Sequence, residues 1–86
     1  MKEFCGAVET VIEGSGSRPT TTMWVDEAGY RQIYMGDVLV LSTRDWEEWE
    51  TAVRYEIARA RKIAEGYERL LGCKATVVVT GAIAHI

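Results

Sequence analysis

Apolar and polar positions alternate along residues 3–13, with Phe4, Val8 and Ile12 on one face and Glu9 and Glu13 on the other. That period predicts a β-strand. The stretch Gly14-Ser15-Gly16-Ser17-Arg18-Pro19 is dense in chain breakers and predicts a loop. Residues 20–26 and 30–35 are rich in Thr, Val, Ile, Trp and Tyr, the β-branched and aromatic types that suit strands. Asp26-Glu27-Ala28-Gly29 forms a turn between them, and Gly36-Asp37 a second turn into Val38-Leu39-Val40-Leu41. A three-stranded meander is therefore expected over residues 20–42.

The period changes after residue 43. Trp46, Trp49, Ala52, Val53, Ile57, Ala60, Ile63, Ala64, Tyr67, Leu70 and Leu71 fall in one arc at 100° per residue. This predicts one long amphipathic helix from Arg44 to about Leu71. Ser42 or Thr43 can cap it, with Asp45 three residues after Ser42. Acidic residues crowd its start and basic ones its end, which suits the helix dipole, and Gly72 is placed to terminate it. Lys74 to Ile86, with Val77-Val78-Val79, reads as a last strand. The expected fold is α+β, in the order ββββαβ. An antiparallel sheet of about five strands carries the helix on one face, in a single domain spanning residues 1–86.

Both layers promise more apolar surface than they can cover. A helix of about 27 residues is about 40 Å long, whereas a six-residue strand spans about 20 Å. In the meander, Thr22, Trp24, Tyr30, Gln32 and Tyr34 share one face and Met23, Val25, Ile33 and Met35 the other. Val38 and Val40 extend the second face, and Leu39 and Leu41 the first. A single helix covers one face only. The other is expected to be folded over by the first strand or used for binding, and a homodimer is the simplest cover for the surplus.

Composition narrows the partners. Hydrophobic residues make up 48% and charged residues 27%, ordinary values for a globular domain, and the net charge of −3 argues against a phosphate-rich partner. No apolar run is long enough to span a membrane, and no signal-peptide layout opens the chain, so a cytoplasmic protein is expected. Cys5 and Cys73 are far apart and lack CxxC spacing. They read as buried thiols, and with His85 they would leave a zinc site one ligand short. No metal or other cofactor is expected.

Motifs of catalysis are absent: there is no HExxH, GxSxG or Walker A pattern. The Gly14–Arg18 loop could cradle a phosphate, but no helix follows it to supply a dipole. Glu56 projects into the apolar arc between Ala52 and Ala60, where a carboxylate needs a partner or an altered pKa. It is a candidate for acid chemistry or ligand recognition. On the far side of the helix Tyr55 neighbours Arg59 and Lys62. Residues 54–74 hold six basic against three acidic residues, a patch that could meet a protein or a nucleic acid.

Three strands followed by a helix resemble the small arm-type DNA-binding domains of phage integrases. Those are basic on the sheet, however, whereas residues 1–43 here carry three basic and six acidic residues. The size, acidity and lack of a catalytic motif also resemble small phage-encoded inhibitors such as anti-CRISPR proteins. The leading expectation is a non-enzymatic protein-interaction module, a homodimer, acting as an inhibitor or accessory protein. Its contact residues would be Trp24, Tyr30, Tyr34, Tyr55, Arg59 and Lys62. The alternatives are a nucleic-acid-binding domain using the basic half of the helix, and a small-ligand binder or enzyme around Glu56.

Overall fold

A computed structural model describes the backbone of residues 1–86 and every side chain except those of residues 18–20. The chain forms β1 (Glu3–Ile12), β2 (Gly16–Val25), β3 (Arg31–Met35), β4 (Val38–Thr43), α1 (Trp46–Leu71) and β5 (Ala75–Gly81). A short 3₁₀ turn, Ala82–His85, follows. The five strands make one antiparallel sheet in the order β4-β3-β2-β1-β5, with α1 on one face. This is the α+β arrangement that the residue pattern predicts.

Several boundaries differ from expectation for local reasons. Most of the expected loop at residues 14–19 is strand. Only the turn around Gly14 and Ser15 remains, because the lower half of β1 pairs with Gly16 to Pro19. The last strand stops at Gly81 instead of running to Ile86. There φ is +81°, and a Cβ would sit 2.6 Å from the Gly6 Cα, so the two backbones pass at a distance only glycine permits. The turn beyond carries Ile83 into the core, where it is fully buried.

The helix begins two residues late. Thr43 is buried, and its Oγ1 accepts a hydrogen bond from the Asp45 N–H. Asp45 is the cap: its Oδ1 accepts from the N–H groups of Glu47 (2.9 Å) and Glu48 (3.2 Å). Gly72, in the left-handed conformation, closes the other end through its N–H to the Glu68 carbonyl.

Two bulges reassign faces. One lies between Phe4 and Gly6, so Val8 and Ile12 point toward the helix while Phe4 pairs with Trp24 on the far side. Phe4, expected beside Val8, is on the opposite face. The other falls at Val40, between the Ile33–Leu41 and Tyr34–Leu39 pairs. Leu41 therefore joins Ile33 under the helix, not the aromatic face.

The core lies between sheet and helix: Val8, Met23, Ile33, Trp49, Val53, Ile57, Ala60 and Ile83. Burying each of the larger side chains contributes about 1.5–3 kcal/mol. Arg31 is also on this side, its guanidinium 3.9 Å from the Trp46 ring centroid and 5.6 Å from that of Trp49. It ties the first helical turn to β3.

The molecule is elongated, 45 × 22 × 22 Å, with a radius of gyration of 13.6 Å against about 12 Å for a compact chain of this length. The 26-residue helix spans about 39 Å. The ten-residue β1 and β2 nearly match it at about 34 Å, but the β3–β4 hairpin, at five and six residues, is about half as long. Among the described residues, no helix is long and apolar enough to cross a membrane.

Candidate interaction surfaces

The short hairpin decides what stays exposed. On one flank of α1, Arg61, Ala64 and Glu68 lie along Ala75, Thr76 and Val77 of β5. The other flank faces β3, as the 3.5 Å contact from Arg59 Nη2 to Met35 Sδ shows. Below Met35 the hairpin has ended, so Ile63 and Tyr67 are only partly covered and Leu70 is 84% exposed. The apolar stripe read from the sequence continues past the sheet that was to cover it.

The second surface is the open sheet face. Phe4 and Trp24 meet edge to face, 5.3 Å between centroids. Trp24 Nε1 donates to Thr22 Oγ1 (3.0 Å) and Lys2 Nζ to the Tyr34 hydroxyl (2.8 Å). Lys2, Thr22, Trp24, Tyr34, Gly36 and Asp37 line an open groove of about 330 Å³ there. Its aromatic walls are held in place by their own hydrogen bonds, an arrangement suited to packing a side chain from outside.

The third surface is β4, at the sheet edge. Val38 is 66% exposed, Leu39 47% and Val40 49%. The strand Val38–Thr43 contains no charge and no proline, and its outer backbone groups have no neighbouring strand. Such an edge is a ready template for another strand. β2 also has a free lower edge, but Pro19 lies in it and removes an N–H.

The expected contact residues divide between surfaces. Trp24 and Tyr34 share the groove, both half-buried. Tyr30 sits in the β2–β3 turn instead, its ring 5.7 Å from the Arg44 guanidinium. Tyr55 and Lys62 are exposed on the outer side of α1, the other side of the molecule from Trp24. Arg59 is committed to Glu56, and Arg54 to Glu50 at 2.6 Å, so the basic half of the helix has fewer free cations than its composition suggests.

Glu56 is 8% exposed, and its Oε2 accepts from Arg59 Nη2 (3.1 Å) and Nε (3.3 Å). The carboxylate inside the apolar arc thus has its partner one turn away. The ligand or acid chemistry considered for it would need that pair broken. Cys5 and Cys73 are free thiols at opposite ends of the β1–β5 ladder. Burial pushes the Cys5 thiol up from its ordinary pKa, and the nearby Arg31 charge offsets this in part. His85 is exposed in the 3₁₀ turn. The Arg18 side chain, considered for a phosphate cradle, lies outside the described residues.

Phe4, Val38, Leu39 and Leu70 are exposed apolar residues on these surfaces beyond the six expected contact residues. The signal for β4 was present as four consecutive apolar residues without a charge, in the strand that ends the meander. Comparison of the chain with family models, curated proteins and solved structures yields no match.

Proposed function

We propose that this domain is a non-enzymatic protein-interaction module whose working form is a homodimer. The carrying observation is the exposed apolar row Val38-Leu39-Val40 on an edge strand whose outer side has no neighbour, beside an aromatic groove and a partly uncovered helix flank. Apolar surface gathered into patches marks a site of association, whereas isolated exposed residues do not. Tyr and Trp, present in the groove, are the types enriched where proteins bind one another.

The reading is tested by light scattering on the purified chain over a concentration series from about 1 to about 500 μM. The expected result is a mass rising from one chain to two. A one-chain mass throughout overturns the reading.

A further inference from the structure

We propose that two copies of this chain pair β4 against β4, antiparallel about a two-fold axis normal to the sheet, joining the two sheets into one of ten strands. The inference rests on the interaction-module reading and assigns its partner and register.

The face of each β4 residue limits how two copies can meet. Val38 lies opposite Met35, and Thr43 opposite Arg31, both on the helix side. Leu39 lies opposite Tyr34, and Ser42 opposite Gln32, both on the open side. Residues directly paired across antiparallel strands share a face. Pairing Val38 with the partner's Thr43 and Leu39 with the partner's Ser42 satisfies this at every position the bulge leaves defined. The bulged Val40 then meets the partner's Leu41. A shift of one residue sets Leu39 against the partner's Leu41, an open-side residue against a helix-side one. A shift of two sets Leu41 against the partner's Ser42 in one direction, again mixing the faces, and in the other shortens the ladder.

Charge selects the same register. The charged residues that adjoin the strand are Asp37, immediately before it, and Arg44, immediately after it, while the next charge, Asp45, is engaged as the helix cap. Just beyond the ends of the ladder, Asp37 in the β3–β4 turn comes beside the partner's Arg44, and Arg44 beside the partner's Asp37. Two opposite-charge pairs close the interface, one at each end. In the isolated chain Asp37 has no ion pair among the described residues.

The other sheet edge has no such match. β5 paired with itself about Val78 would set Lys74 against the partner's Ala82, with no charge to meet it, and its open side alternates Thr76, Val78 and Thr80. Val78 is also less exposed, 37% against 66% for Val38. The β4 pairing has a further effect on the helix side. It brings exposed Val38 beside the partner's Thr43, three residues before the half-exposed Trp46.

The test uses Asp37→Arg and Arg44→Asp in the full chain, with circular dichroism to check the fold and sedimentation to read association. Each variant alone sets like charges together at both ends, and its dimer is expected to weaken at least about tenfold. An equimolar mixture restores both opposite-charge pairs, so the two variants are expected to associate with each other near the wild-type strength. The double variant is expected to recover self-association. If the wild type dimerises and the single variants dimerise equally well, the edge pairing is overturned while the module reading stands. Weakened single variants that do not rescue each other on mixing overturn it as well. Open assemblies larger than two chains would indicate head-to-tail pairing of β4 with β5 and also overturn it. A wild type that stays a single chain at every concentration overturns both proposals.

Discussion

The two halves of α1 carry the same kind of apolar stripe and meet different fates. In the first half Trp49, Val53 and Ile57 are buried against strands from across the sheet. In the second half only the small Ala60 and Ala64 are buried, while Ile63, Tyr67, Leu70 and Leu71 are partly or largely exposed. The helix itself does not change. What changes is the sheet beneath it, which narrows where the β3–β4 hairpin turns back at Gly36. An amphipathic pattern therefore records which face could be buried, and the neighbouring element's length determines how much of it is.

That contrast can be broken most severely at Trp49. Trp49→Ala, at a 3% exposed position in the first half, is expected to cost about 3–5 kcal/mol, read by denaturant unfolding. Arg31→Leu removes the guanidinium from the Trp46 and Trp49 rings and is expected to cost about 1 kcal/mol. The same variant removes the charge that favours the Cys5 thiolate, so Cys5 should alkylate more slowly at a given pH.

A buried flaw offers a change of opposite sign. The Thr21 hydroxyl is enclosed without a hydrogen-bond partner among the described residues. Thr21→Val is expected to stabilise by about 1 kcal/mol, raising the melting temperature by about 4–8 °C. In the second half of the helix, Leu70→Ser should change stability by no more than about 0.5 kcal/mol, since the side chain is already solvated. A large loss there would mean that the exposed flank is covered in solution.

What the sequence revealed follows the range of the forces involved. The helix, its C-terminal glycine and the hairpins were legible because they depend on residues near one another, such as Asp26, whose Oδ1 accepts from the Ala28 and Tyr30 N–H groups. The bulges at Cys5 and Val40 were not. A bulge shows itself only in register against a distant partner, and each one exchanges the faces of the residues beyond it. For the same reason Trp24 and Tyr34 were correctly placed together on one face, while Phe4 and Leu41 were assigned to the wrong sides. The committed state of Glu56 was only half legible. Its intrusion into the apolar arc shows on the helical wheel, but Arg59 has several rotamers and only folding selects the one that pairs with it.

The ladder of Gly6 with Gly81 also governs how the chain reaches this structure. The pairs β1–β2, β2–β3 and β3–β4 each join strands adjacent in sequence, so each can close over a short turn. Only β5 must travel from beyond the helix to meet β1, with Ile12 meeting Ala75 and Gly6 meeting Gly81. Closing that long loop carries the largest entropic cost in the fold and delays the contact. β5 is what covers the outer edge of β1, so a chain in which that last contact is open has a second strand free to pair.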